Sequence, residues 1–200
     1  AQVRRGTDCE RRRDGRCAVW LNGVGEAEFD HREGFRGCIV QLLALFDLIL
    51  AVDLYDDEGT RLPLCPRGAL KRAVAAWEAK GLTPKVGIEL EAFALQADQD
   101  GNLRPYDTPG AVVYGTGPLT DPMRFNDAIW EKADELGFRL DMITAEFDAP
   151  QFEYTLTFDN AVKAVDDIVL FRLMAREIAL EHGIILSFMP KPIAEAGGSG

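Results

Sequence analysis

The segment at residues 85–95, KVGIELEAFAL, constrains the rest of the chain more than any other. After Lys85 it is an apolar run broken only by Glu89 and Glu91. It reads as a strand, and the DQDGN that follows reads as a turn. Side chains alternate along a strand, so Ile88, Leu90, Ala92 and Ala94 point one way, and Gly87, Glu89, Glu91, Phe93 and Leu95 the other. One face of the sheet can therefore pack a core, while the other must accommodate two neighbouring like charges. Burying those carboxylates unpaired costs several kcal/mol each. Either they are solvated on an exposed face, or a bound cation neutralises them.

The chain has 200 residues, 47% of them hydrophobic, enough for one sizeable core or for one domain plus part of another. Its longest apolar stretch, CIVQLLALFDLILAV at 38–52, is interrupted by Gln41 and Asp47. That stretch is shorter than the roughly 20 residues a membrane span needs. No apolar h-region follows the N-terminal arginines, so no secretory signal is read and a cytoplasmic protein is expected. A net charge of −11 speaks against general nucleic-acid binding, although an acidic protein can still hold phosphates through divalent metal. Cys9, Cys17, Cys38 and Cys65 show no CxxC or CxxxC spacing, which disfavours a zinc knuckle and leaves reduced thiols as the simplest reading. With only two histidines, His31 and His182, a His-rich metal site is excluded within these residues.

Residues 1–37 hold eight arginines and no lysine, and the first lysine of the chain is Lys71. From residue 48 the pattern becomes regular. LILAVDLYD reads as a strand and DDEGT as a turn. PRGALKRAVAAWEAKG reads as a helix with Pro66 in its first turn and Gly81 just past its end. After the VGIELEAFAL strand, a loop is expected over roughly 102–120. DPMRFNDAIWEKADELG predicts a helix with Asp121 as N-cap, Pro122 at its first position and Gly137 as its stop. Phe125, Ile129, Ala133 and Leu136 form its buried stripe. Strands are expected near 138–144 and 151–157. A helix over about 160–182 follows, with Val165, Ile168, Val169, Leu173 and Ile178 apolar and Gly183 as its stop, and then a last strand, IILSFM. Strands and helices mix without strict alternation, which predicts an α+β fold with a mainly antiparallel sheet and flanking helices.

More carboxylates occur in EFDAPQFE at 146–153. Glu146 and Glu153 flank an Ala149-Pro150 corner and could converge on the first pair from a neighbouring strand. Asp148, between them, reads as solvent-facing. Hard oxygen ligands in such a cluster suit magnesium or manganese, and two such metals suit phosphoryl transfer. In SFMPKPIAEAGGSG, Lys191 is held between Pro190 and Pro192. Glycines at 197, 198 and 200 let backbone N–H groups approach a ligand, though a flexible linker has the same composition.

Taken together, DLYDDEG, PRGALKRA, VGIELEAF, ELGF, EFDAPQFE and FMPKP followed by GGSG resemble the glutamine synthetase family in order and spacing. The resemblance runs over about residues 48–200. It implies that 63–200 form the N-terminal part of the catalytic domain, and that 1–62 are an atypical segment ending in a β-grasp-like remnant. Glu91, Glu146 and Glu153 would hold one divalent metal, Mg2+ or Mn2+, next to the glutamate substrate. Glu89 would hold a second metal, bridging the phosphates of ATP. Gly198 would contact the substrate through its backbone, Tyr114 would line the ammonium or amine side, and Phe158 would lie near the adenine. The implied reaction is ATP-dependent ligation of ammonia to the γ-carboxylate of glutamate through γ-glutamyl phosphate, forming glutamine. A homo-oligomer is the family's usual state.

The sequence also departs from the family pattern. The family's Pro-Gly-Gln is Ala149-Pro150-Gln151 here, and Ala145 stands before Glu146 where bacterial assimilatory enzymes often have histidine. These departures point towards a divergent subgroup, which includes ligases that join glutamate to polyamines or other amines. Residues 1–47 do not resemble the family's N-terminal domain. The family's next histidine would follow Gly200, so the chain is expected to be a fragment that does not turn over alone. Guanidino phosphotransferases and glutamate–cysteine ligases share this catalytic architecture, and FMPKP with Gly-Ser-Gly argues against both. A non-catalytic homologue is the alternative from another functional class, and retention of all four glutamates argues against it.

Overall fold

The computed structural model describes the backbone of residues 9–11, 16–21, 25–30, 42–43 and 48–49, and then residues 51, 53–55 and 58–199. The side chains of Cys9, Cys17, Cys38, Trp20 and His31 lie outside the described residues. The chain divides into two compact units, residues 1–75 and 76–200.

In the first unit, β1 (Cys9–Arg11), β2 (Arg16–Leu21) and β3 (Gly25–Asp30) form an antiparallel sheet in that order. A short antiparallel pair follows, β4 (Leu42–Leu43) and β5 (Leu48–Ile49). Of the strand expected over 48–56, β5 is the part found among the described residues. The chain beyond it folds back through a single bridge between Tyr55 and Arg61, and the Leu62 amide donates to the Leu54 carbonyl at 2.9 Å. Asp53 organises this turn. Its carboxylate accepts from Arg61 at 3.2 Å, Arg67 at 2.7 Å and Lys71 at 2.5 Å. Burial pushes the Asp53 carboxyl up, but the bonds and charges of Lys71 and Arg67 outweigh it and leave the group below its ordinary range. The helix α1 (Pro66–Glu78) begins at the proline as expected, where no amide hydrogen bond is lost. The chain leaves it through Gly81 at φ 75°. Cys65 is buried and its Sγ accepts the Gly68 amide at 3.3 Å, so it serves packing.

In the second unit, the 13-residue strand β6 (Lys85–Ala97) is the spine. It is joined by β7 (Leu103–Pro105), α2 (Phe125–Leu136), β8 (Leu140–Ala145), β9 (Gln151–Asn160), α3 (Ala161–Glu181) and β10 (Ile185–Ser187). The sheet order is β10-β6-β9-β8, with β7 also pairing β6, and every pairing is antiparallel. The expected α+β architecture is therefore the observed one. Residues directly opposite in an antiparallel ladder share a face. The rows Leu90–Tyr154–Ile143 and Ala92–Phe152–Ala145 cross three strands on the core side. Phe125, Ile129, Phe171, Ala175 and Ile184 close over them, each fully buried.

Three expectations are corrected. First, the loop expected over 102–120 begins with β7. Asp98 accepts the amides of Asp100 at 2.9 Å and Asn102 at 2.8 Å, which turns the chain back along β6. Second, Asp121 is not the N-cap of α2, which starts at Phe125 after Arg124 in a left-handed conformation with φ 55°. Asp121 is drawn inward instead. It accepts the Tyr106 hydroxyl at 2.9 Å and the Asn126 amide at 2.8 Å, so it serves the first turn from one turn earlier. Tyr154 completes this network by donating to Asn126 Oδ1 at 2.8 Å. Third, Leu136 is 58% exposed, because α2 ends there and Phe138 packs against the core in its place. On α3 the most buried face is Ile168, Phe171, Met174, Ala175 and Ala179, whereas Val169 is exposed. Gly137 and Gly183 stop their helices at φ 76° and 71°, as expected. Among the described residues, no helix is long and apolar enough to cross a membrane.

The buried network around Asp121 generates a stability prediction. Asp121→Ala strands the Tyr106 hydroxyl and the Asn126 amide. It should lower the free energy of unfolding by ~1–3 kcal/mol per group left unsatisfied, seen as a lower urea midpoint. Leu136→Ala, at an exposed helix end, should shift the midpoint far less.

Candidate metal centre

The core rows place the opposite face of the sheet one residue out of step. There Glu91 of β6 stands directly across from Glu153 of β9, and Glu153 across from Thr144 of β8. Cβ atoms in such pairs are about 4.5–5.5 Å apart, so the two carboxylates meet without any loop having to carry them. Glu146 joins from just beyond β8, where its amide donates to the Gln151 carbonyl at 2.9 Å and closes the hairpin into β9. The Gln151 amide donates to the Asp148 carbonyl at 2.9 Å, and Ala149–Pro150 is a cis peptide. One carboxylate oxygen from each of Glu91, Glu146 and Glu153 lies within 4.8 Å of the others, and all three side chains are half-buried.

This grouping is electrostatically costly without a cation. Burial, then a hydrogen bond with Glu153 and its charge, then the charge of Glu91, push the Glu146 carboxyl above its ordinary range. Neutral donors offset part of the repulsion. Thr155 donates its hydroxyl to Glu153 Oε1 at 2.7 Å, and Gln151 Nε2 donates to Glu91 Oε2 at 2.9 Å. An all-oxygen, partly buried donor set that lacks histidine and cysteine fits a hard divalent cation such as Mg2+ or Mn2+.

The other residues singled out from the sequence are placed as follows. Glu89 lies opposite Thr155 on the same face as Glu91 but is exposed and outside the triad, about 6.6 Å further along the strand at ~3.3 Å per residue. Tyr114 is brought to Glu146 by backbone pairing. Its amide donates to the Ala145 carbonyl at 2.7 Å, and the Ala145 amide donates to the Gly115 carbonyl at 3.1 Å. Tyr114 holds φ 62°, a strained value for a residue with a side chain, and its exposed ring meets Phe147 edge-on at 6.4 Å. The Gly198 carbonyl accepts from Gln151 Nε2 at 3.3 Å, which sets it beside Glu91. Phe158 is not brought to the triad. It is exposed, five residues beyond Glu153 on β9 and roughly 16 Å away along the strand.

Asp148 corrects the sequence reading. It is half-buried, not solvent-facing, and its Oδ2 accepts the Gly197 amide at 2.7 Å. Sequence reasoning also passed over Gln151, which is buried and bonds Glu91, Gly198 and Ser199. The available signal was a lone amide directly beside the carboxylates of EFDAPQFE.

Residues 63–200 match the glutamine synthetase catalytic domain. The chain is 32% identical over 151 residues to a glutamine synthetase of Clostridium saccharobutylicum, covering 76% of this chain and 34% of that one. A glutamine synthetase of Rhizobium meliloti is 33% identical over 154 residues, with 76% and 34% covered. The chain thus spans about a third of the length of the curated relatives it matches. Among solved structures, GmaS without ligand superposes with a TM-score of 0.62 at 28% identity, covering 70% of this chain and 34% of that one. GmaS in complex with ADP gives 0.61 at 30% identity, covering 70% and 33%. With its catalytic-domain match extending over residues 63–200, the chain belongs to the glutamine synthetase family.

Proposed function

We propose that residues 63–200 contribute the metal-binding, glutamate-facing part of a ligase active site. In this reading the complete protein joins ammonia to the γ-carboxylate of glutamate at the expense of ATP. The observation that carries it is the convergence of Glu91, Glu146 and Glu153 from a strand pair and a hairpin, with the Gly198 carbonyl tied to the same point. A bare carboxylate is a poor electrophile, so ATP first transfers its γ-phosphoryl group to the γ-carboxylate of glutamate. The nitrogen of ammonia then attacks the γ-glutamyl phosphate carbonyl, phosphate leaves with the bonding electron pair, and the nitrogen sheds a proton. Glu91, Glu146 and Glu153 would hold a divalent cation, which would supply charge neutralisation and alignment for the phosphoryl group.

The residues of the chain divide the remaining work. Glu91 and Glu153 are held by Gln151 and Thr155 in fixed orientations, which keeps the donor set ready. Glu89, further along the same face, is assigned to a second Mg2+ or Mn2+ on the phosphates of ATP. Gly198 presents its backbone to the amino acid, Tyr114 borders the entry of the nitrogen nucleophile, and Phe158 is assigned to the adenine side. Similarity to the GmaS structure that holds ADP supports the nucleotide. We also assign the working protein to the cytoplasm and to a homo-oligomer, and take residues 1–62 as an atypical segment preceding the catalytic domain. Ala145, beside Glu146, favours a second reading in which a polyamine or other amine replaces ammonia.

The assay is phosphate release by the protein at the length of its relatives, with ATP, Mg2+ and glutamate, first with ammonia and then with amines. Ammonia-dependent release should fall about 100-fold or more in both Glu91→Gln and Glu153→Gln, the scale on which one preorganised electrostatic group acts. Release with amines alone selects the second reading. No release with any acceptor favours a non-catalytic homologue. Metal removal offers a separate check. Mn2+ should raise the melting temperature of the chain, EDTA should reverse the rise, and Glu153→Gln should abolish it. Because the Glu146 carboxyl is raised above its ordinary range, protons compete with a binding cation from a higher pH than at an ordinary carboxylate. Mn2+ affinity should therefore weaken as pH falls through the raised value.

A further inference from the structure

We propose that Gln151 is a positioning residue that couples the carboxylate triad to the glycine segment 197–199, so that divalent metal and amino-acid substrate bind cooperatively through one side-chain amide. The proposal rests on the reading of the triad as a metal site. Gln151 opens β9 opposite Phe93, on the face that carries Glu91 and Glu153, and is 4% exposed. Its Nε2 lies 2.9 Å from Glu91 Oε2, 3.3 Å from the Gly198 carbonyl and 3.3 Å from Ser199 Oγ. Two N–H donors face three acceptors, so the bonds to the glycine segment and to the carboxylate are geometrically linked. Whatever fixes the Glu91 carboxylate also fixes the direction in which the Gly198 carbonyl is held.

The segment has little freedom to answer in any other way. The Gly197 amide donates to Asp148 Oδ2 at 2.7 Å, and the Ser199 amide donates to the Pro190 carbonyl at 2.8 Å. A Cβ at Gly197 would overlap the Asp148 carboxylate, and one at Gly198 would stand 3.0 Å from the Pro190 carbonyl oxygen. Asp148 and Gln151 both belong to the turn that joins Glu146 to Glu153. The hairpin that supplies two of the three carboxylates therefore also clamps the glycine segment at two points. Asp148 anchors one end independently of the triad, while Gln151 ties the other end to Glu91. Coupling of this kind is reciprocal, so glutamate must tighten Mn2+ by the same factor by which Mn2+ tightens glutamate.

The test titrates Mn2+ by electron paramagnetic resonance into the protein at the length of its relatives, with and without saturating glutamate. The ratio of the two affinities is compared between wild type, Gln151→Met, which keeps the volume and removes the donors, and Gln151→Asn, which keeps a donor on a shorter stem. A neighbour of a ligand also tunes metal affinity directly, so the ratio is the readout and not either affinity alone. Wild type should show a ratio of about 5 or more, and both variants a ratio near 1. Hydrogen exchange at the Gly198 and Ser199 amides should slow on Mn2+ addition in wild type and not in the variants. A ratio preserved in a folded variant, or no coupling in a wild type that binds Mn2+, overturns the proposal while leaving the metal site standing. A wild type that binds no Mn2+ overturns both.

Discussion

Like charges in a low-dielectric setting separate unless something prevents them, and Glu91, Glu146 and Glu153 are held within 4.8 Å of one another. The restraint comes from the sheet. Glu91 and Glu153 are ladder partners, so their Cβ atoms cannot separate without breaking the β6–β9 pairing that also aligns Ala92 with Phe152 and Leu90 with Tyr154 in the core, and Gln151 and Thr155 hold the carboxylates themselves. Core packing on one face thus supplies the free energy that holds repulsion on the other. Glu146 is held less directly, by a backbone bond at the end of the hairpin, and it is the carboxyl whose proton affinity rises. A divalent cation would turn that stored repulsion into attraction, which is how a folded scaffold gains affinity for a metal before the metal arrives.

The parts of the fold that could be read in advance are those decided by local periodicity. The alternation in β6 placed Ile88, Leu90, Ala92 and Ala94 on the core side, and Gly137 and Gly183 marked the helix ends. The start of α2 could not be read this way. A proline after an aspartate is a sound local signal for a helix beginning, but Tyr106, fifteen residues earlier, takes Asp121 into a buried network and moves the start to Phe125. A second tertiary contact of this kind follows β5, where Asp53 gathers three cations from residues 61–71 that the local pattern does not announce.

The carboxylates were legible as residue types, and two of them as a shared strand face. Their meeting was legible only through the family resemblance, because it depends on a register that periodicity alone does not fix. A slip of one residue between β6 and β9 would send Glu153 to the core side. Asp148 and Gln151 were harder still to read. Each acts on the glycine segment nearly fifty residues away, and no spacing along the chain announces that contact. Tyr114 stands beside Glu146 through an edge pairing with Ala145 that a loop-like sequence gave no reason to expect. Two of the three carboxylates, Glu91 and Glu153, are carried by paired strands, while Glu146 and Asp148 come from the turn between β8 and β9.

The most direct test of the central claim is a crystal grown with Mn2+ and measured at a wavelength where manganese scatters anomalously. The account predicts one anomalous peak coordinated by carboxylate oxygens of Glu91, Glu146 and Glu153 at about 2.0–2.2 Å, with Gln151 still bonded to Glu91. A manganese peak elsewhere on the chain, or three carboxylates that splay apart with no peak between them, would contradict it.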